Sequence, residues 1–237
     1  MAITEDRPLA LEAGAVTKVA ARPLGALTRP QSDVGWASWF TTVDHKKIGI
    51  MYGVDSLFFF LFGGVEALMI RIQLAAPDGQ FLSESLYNQV FTMHGVTMVF
   101  LVIMPMAAAF ANYLLPLQVG ARDVAFPRLN AFSFWCWLAG AIFLNTSWFL
   151  GGAPAGGWFA YAPNTSVTFA PGSGMDFYAI GLQIVGIASL VSAINLIVTV
   201  LNMRAPGMSL LKMPVLTWML LVTQFLLLFA VPVITIA

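Results

Sequence analysis

The sequence predicts an all-α membrane protein, a polytopic bundle of transmembrane helices, on three observations. Of 237 residues, 59% are hydrophobic and only 9% are charged, where an ordinary soluble domain carries about a quarter charged residues. Mean hydropathy is +0.83. The apolar residues gather in five runs, each long enough to cross a hydrocarbon core of about 30 Å, which takes roughly 20 helical residues. Such runs must be helical, because lipid offers an open backbone no hydrogen-bond partner. The same arithmetic excludes other classes. Eleven Lys+Arg against eleven Asp+Glu leave no net charge, so nucleic acid is not an expected partner. The lone Cys136 excludes a disulfide framework, and no Cys/His cluster has zinc spacing.

Residues 1–40 hold most of the ordinary polarity, including Glu5, Asp6, Arg7, Glu12, Lys18, Arg22, Arg29 and Asp33, broken by Pro8, Pro23 and Pro30. They read as a flexible cytoplasmic tail on the membrane surface, with 41–237 as the membrane part. The five spans run approximately from Ile48 to Ile70, Val90 to Leu115, Ala131 to Leu150, Ala179 to Met203 and Pro214 to Ala237. Ten of the eleven basic residues fall on one side of this topology, Arg71 being the exception. By the positive-inside rule that side, with the N-terminus, is cytoplasmic. The last apolar run reaches Ala237 without a polar flank, so the sequence is expected to be the N-terminal part of a longer chain.

Ionisable and amide side chains inside spans are costly and are functional candidates by default. Asp55 and Glu66 fall in the first span, eleven residues apart and so on one face; neither receives a role. His94 lies in Phe91-Thr92-Met93-His94-Gly95-Val96-Thr97-Met98. A buried imidazole suits haem ligation, with Gly95 letting a flat macrocycle approach. A histidine hydrogen-bonded to a neighbouring helix fits the spacing equally well. His45, beside Lys46 and Lys47, reads as an interfacial residue. Asn112 lies eighteen residues below His94, five ideal turns and the same face. Asp123, between Arg122 and Arg128, and Asn130, opening the third span, could hold ordered water with Asn112 at a cytoplasmic mouth. A solvated loop aspartate paired with arginine is the commoner arrangement. The Gly- and aromatic-rich loop 151–163, with Trp158, reads as an interfacial anchor on the opposite side.

Several stretches are specific enough to name a family. They are Thr41-Thr42-Val43-Asp44-His45-Lys46-Lys47-Ile48-Gly49, Ile70-Arg71, Met93-His94-Gly95, Asn112-Tyr113-Leu114-Leu115-Pro116-Leu117 and the block Gly120-Ala121-Arg122-Asp123-Val124-Ala125-Phe126-Pro127-Arg128-Leu129-Asn130. Gly157-Trp158, Ser192-Ala193-Ile194-Asn195 and Ala205-Pro206-Gly207-Met208-Ser209 complete the set. Over about residues 36–237 the sequence resembles subunit I of the haem-copper terminal oxidases, in the cytochrome c oxidase branch. The resemblance implies that His94 is an axial ligand of the low-spin haem, expected to be haem a, and that Arg71 hydrogen-bonds its formyl group. It implies that Trp158 lies near the propionates. Asp123 becomes the carboxylate at the mouth of the D proton pathway, with Asn112 and Asn130 just inside and Asn195 further along.

The implied activity is electron transfer from cytochrome c to dioxygen, forming water and pumping protons, within a complex containing subunits II and III in a bacterial-type membrane. The loop after Trp158 departs from the family pattern, reading Phe159-Ala160-Tyr161-Ala162-Pro163-Asn164 where many relatives have Thr-Xaa-Tyr-Pro-Pro-Leu. Ligands for the high-spin haem and the copper ion would come from later spans, so this part alone is expected to lack the oxygen-reducing centre. A quinol oxidase is the rival within the family. A proton-coupled transporter using Asp55, Glu66 and Asp123, or an inert remnant, is the rival outside it.

Overall fold

The computed structural model describes residues 35–236. Residues 1–34, most of the expected tail, and Ala237 lie outside the described residues. The described chain opens with the short helix α1 (Ala37–Phe40), followed by α2 (His45–Gln73), α3 (Glu84–Val96), a π-helical stretch (Thr97–Ile103), α4 (Met104–Val119), α5 (Pro127–Thr146), α6 (Gly174–Asn202) and α7 (Val215–Ile236). No strand occurs among the described residues. The α3–π–α4 run is one continuous element, so five long helices occupy the five expected spans.

Four of them, His45–Gln73, Glu84–Val119, Gly174–Asn202 and Val215–Ile234, are long and apolar enough to cross a membrane. The remaining one, α5, has the length but dilutes its apolar run with Asn130, Ser133, Asn145 and Thr146. It also ends at Thr146, four residues before the expected boundary. Other helices start earlier than their apolar runs because polar caps start them. The Asp44 carboxylate accepts the N–H groups of Lys46 and Lys47 at 2.8 and 3.4 Å, and Ser83 Oγ accepts that of Leu86 at 3.3 Å. Such caps satisfy orphan donors of a first turn. At the far end of α6, the Arg204 guanidinium donates to the carbonyls of Val200 and Leu201 at 2.6 and 3.1 Å.

The packing has two cores. One joins α2, the π stretch, α5 and α6 through Tyr52, Phe59, Leu101, Phe134, Trp137 and Val185. The other joins α4, the α4–α5 loop, α6 and α7 through Leu115, Val119, Val124, Leu196, Val200 and Leu221. The buried stripe of α2 is His45, Gly49, Tyr52, Ser56, Phe59, Gly63 and Glu66, alternating steps of four and three. That 3.5-residue period drifts about 20° per heptad from an ideal helix. It buries Ser56 completely and Glu66 as well, and leaves Asp55 half-exposed.

Close approach of α2 to α4 is built on Gly49. A Cβ there would lie 2.9 Å from the Ala109 carbonyl oxygen and 3.1 Å from the Tyr113 nitrogen, both backbone atoms that cannot rotate away. Gly49→Ala should therefore destabilise the bundle by about 1–3 kcal/mol through overpacking, despite the better helix propensity of alanine. Thermal unfolding in detergent measures this; an unchanged midpoint would show that the two helices separate freely.

Candidate functional site

The polar side chains singled out in the sequence separate into two groups at opposite ends of the bundle. Toward the end away from Lys46 and Lys47, His94 Nδ1 lies 2.9 Å from the Gly63 carbonyl of α2. A carbonyl can only accept, so Nδ1 carries the proton and the lone pair of the neutral ring resides on Nε2. A hydrogen bond from the other ring nitrogen to a carbonyl orients a metal-binding imidazole and raises its basicity. Half-buried His94 thus keeps Nε2 available to a metal ion. The hydrogen bond to a neighbouring helix and the ligand reading, set against each other in the sequence, are both accommodated, each on its own nitrogen.

The space over Gly95 differs from the expectation of a macrocycle against bare backbone. A Cβ on Gly95 would meet Trp158 Cβ and Cδ1, both at 3.2 Å. The missing side chain makes room for the indole, because the 151–163 loop folds down onto α3. Gln89 Oε1 accepts from the Ala153 N–H at 3.0 Å, Thr92 Oγ1 accepts from the Gly157 N–H at 2.9 Å, and Tyr178 Oη donates to the Trp158 carbonyl. The loop is therefore more than an anchor: it delivers Trp158 beside the candidate ligand. Gln89, Thr92 and Tyr178 escaped the sequence reading, since only the fold shows what they hold. Arg71 is exposed in the last turn of α2, eight residues beyond Gly63 and so about 12 Å further along the axis.

Glu66 is buried, with neither carboxylate oxygen hydrogen-bonded among the described residues. It lines an apolar cavity of about 550 Å³ together with Asn145 and Trp148.

At the basic end, Asp123 is 7% exposed and accepts the Val124 N–H on Oδ1 at 2.8 Å. It is a buried carboxylate rather than a solvated loop residue. Asn112 on α4 and Asn130 in the first turn of α5 are both fully buried. Asn112 Nδ2 donates to the Ala108 carbonyl at 2.9 Å. Asn112 Oδ1 and both amide atoms of Asn130 have no hydrogen-bond partner among the described residues. Buried amides left this way are the usual lining of ordered-water sites.

Beyond Asn130 further hydroxyls continue inward. Ser133 Oγ donates to the Asn130 carbonyl at 2.7 Å and lies 3.4 Å from Tyr52 Oη. Tyr52 in turn lines a cavity of about 270 Å³ with Ser189, Ser192, Thr223 and Gln224. These residues sit on four different helices, which is why no local motif announced them.

Asn195 behaves differently from the other amides. Its Oδ1 accepts the Phe126 N–H at 2.8 Å and its Nδ2 donates to the Phe126 carbonyl at 3.1 Å. One turn later Thr199 Oγ1 accepts the Ala125 N–H at 2.9 Å and donates to the Asn195 carbonyl at 2.7 Å. Both polar ends of Asn195 hold the loop that carries Asp123. The eighteen-residue relation between His94 and Asn112 also changes. The π-helical stretch between them has i→i+5 bonds and a wider turn, so 100° per residue does not hold across it. Trp137 Nε1 donates to the Phe100 carbonyl within that stretch at 3.2 Å.

Asn195→Leu should cost about 1 kcal/mol, because it removes the partner of the Phe126 N–H, while the Phe126 carbonyl keeps the Asn130 N–H at 3.0 Å. Limited proteolysis of the loop at 120–126, together with unfolding, would register it; an unaltered loop would show that Thr199 holds it alone.

Comparison with known proteins identifies the family. Residues 47–237 match the family described as Cytochrome C and Quinol oxidase polypeptide I. The chain is similar to cytochrome c oxidase subunit 1 of Bacillus sp. (strain PS3), 55% identical over 86% of this chain and 33% of that protein. It is 52% identical to cytochrome c oxidase subunit 1 of Bacillus subtilis (strain 168), over 90% of this chain and 34% of that one. Quinol oxidase subunit 1 of the same organism is 48% identical, over 85% and 31%. The chain spans about a third of the length of these relatives. With the matched region running from the first long helix to the last, this chain belongs to the family of cytochrome c and quinol oxidase subunit I polypeptides.

Proposed function

We propose that this chain is the first part of subunit I of a proton-pumping terminal oxidase that passes electrons from cytochrome c to dioxygen. The observation that carries the reading is the His94–Gly63 hydrogen bond, which leaves Nε2 as the free donor atom of an imidazole held rigidly between two helices. When bound, a haem here would supply reversible one-electron transfer. His94 would hold its iron, Arg71 would offer guanidinium donors to its formyl oxygen, and Trp158 would pack beside the ligand near the propionates. In a complete subunit, other parts would supply the remaining ligand of this haem, the high-spin haem site and the copper site.

The basic end would take up protons. Asp123 would hold a proton on its carboxylate, and the Asn112 and Asn130 amides would order the water that conducts it inward. Ser133, Tyr52 and the cavity above them would extend the route. Asn195 would support this path by holding the Asp123 loop, beside the place further along it that the resemblance implies. With Lys46, Lys47, Arg122, Arg128, Arg204 and Lys212 at that end, it would face the cytoplasm of a bacterial cell, and subunits II and III would complete the complex. Quinol is the alternative donor, since relatives named quinol oxidase match nearly as well; the higher identity to the cytochrome c oxidases favours cytochrome c.

In the whole oxidase, His94→Ala should abolish the low-spin haem spectrum; a retained six-coordinate signal would remove the ligand assignment. Asp123→Asn should slow proton uptake at least tenfold, the scale on which a positioned acid or base contributes, while haem content stays intact. Unchanged turnover and pumping would return Asp123 to a structural part.

A further inference from the structure

We infer that His45 is a positioning residue for Asn112, supplying the hydrogen bond that Pro116 denies to the Asn112 backbone carbonyl; the inference rests on Asn112 belonging to the proton path proposed above. In an α-helix the carbonyl of residue 112 would accept the N–H of residue 116. Residue 116 is proline inside α4, which has no N–H and whose ring crowds that same carbonyl. Asn112 is fully buried, so bulk water does not replace the missing donor, and an unpaired carbonyl in such surroundings is costly.

His45 Nδ1 lies 2.8 Å from the Asn112 carbonyl oxygen. Because the carbonyl only accepts, the ring is held with its proton on Nδ1. His45 is 2% exposed, a buried crosslink between the first turn of α2 and the proline turn of α4. The interfacial position expected from its lysine neighbours is not what the fold provides. Gly49, one turn further along α2, allows the approach that brings the imidazole into range.

The side chain of Asn112 takes its direction from this turn. Its Nδ2 is tied to the Ala108 carbonyl at 2.9 Å, which leaves Oδ1 as the buried, unpartnered atom. Holding the main-chain carbonyl on one side and the amide nitrogen on the other fixes where Oδ1 points. Without the imidazole, the residue 112 carbonyl must turn toward another donor, and the amide turns with it. His45 thus acts through Asn112, without touching the path itself.

The chemistry specifies what can replace it. An asparagine at 45 carries an N–H donor at the same distance from the backbone as Nδ1, whereas phenylalanine keeps the ring and loses the donor. Alanine at 116 restores the intrahelical N–H and makes the imidazole unnecessary. In the assembled oxidase, His45→Phe should slow proton uptake about tenfold, the scale of one lost buried hydrogen bond, with the low-spin haem spectrum unchanged. His45→Asn should stay within about twofold of the native rate. Adding Pro116→Ala to His45→Phe should recover most of the loss.

Where His45→Phe fails to assemble, recovery of assembly in the doubly substituted protein is the reading, and its failure overturns the inference. So does native proton uptake in His45→Phe, or slow uptake that neither asparagine nor Pro116→Ala repairs. Asn112→Val separates the two layers of the argument. Slow uptake in Asn112→Val beside native uptake in His45→Phe overturns the positioning alone. Native uptake in Asn112→Val overturns the path, and with it the purpose assigned to His45.

Discussion

Two imidazole–carbonyl hydrogen bonds tie α2 to the α3–π–α4 element, and the arrangement of both candidate sites depends on that pairing. His94 reaches the Gly63 carbonyl and His45 reaches the Asn112 carbonyl. The two contacts lie eighteen residues apart along either strand of the helix pair. In water such bonds would be worth about 1 kcal/mol each. Between apolar helices their weight lies in what replaces them, since lipid offers no alternative partner for an amide carbonyl or an imidazole N–H. The pairing therefore sets register as well as contact. A slide of α2 by one turn would strand both imidazole N–H groups and the Asn112 carbonyl at once. It also explains why the only two histidines of the chain both carry structural weight.

That register positions chemistry at each end by different means. At one end the ring nitrogen left over from the hydrogen bond is the useful atom, and a loop pinned by Gln89, Thr92 and Tyr178 brings Trp158 beside it. At the other end the useful atoms are those that the fold leaves without a protein partner. Asn112 and Asn130 keep free amide atoms in a buried region, and water is the smallest group that can satisfy them. The amide of Asn195 is instead closed on Phe126 from both sides. One residue type thus keeps unpartnered atoms in one place and clamps a loop in another, according to what its neighbours donate and accept.

The π-helical stretch Thr97–Ile103 connects these two ends. Its wider turns change the phase between the face bearing His94 and the face bearing Asn112, so each can be set by its own contact with α2. The carbonyl of Phe100 inside it is taken by the Trp137 indole of α5, which anchors the irregular turns to the aromatic core around Tyr52 and Phe134. Departures from regular α geometry persist where other elements supply the missing partners, and the same rule covers the proline turn at Pro116.

The amino-acid sequence by itself determined the class of solvent, the helical content, the approximate spans and the family, because these follow from local composition, from apolar run length and from contiguous motifs. It also determined which residues carry ionisable or amide groups into the apolar region, as with His94, Asp123, Asn112 and Asn130. Tertiary structure alone decided what each group does there. His45 looked interfacial beside two lysines and is buried; Gly95 looked open and is covered by Trp158; Asp123 looked solvated and is enclosed. Asn195 clamps a loop that its motif did not announce, while Thr199, Tyr52 and Ser133 drew no notice. The reason is physical. Transfer from water to lipid is a property of each segment, readable along the chain, whereas the role of a polar group depends on which of its donors and acceptors another helix has already taken, and that is fixed only when the helices meet.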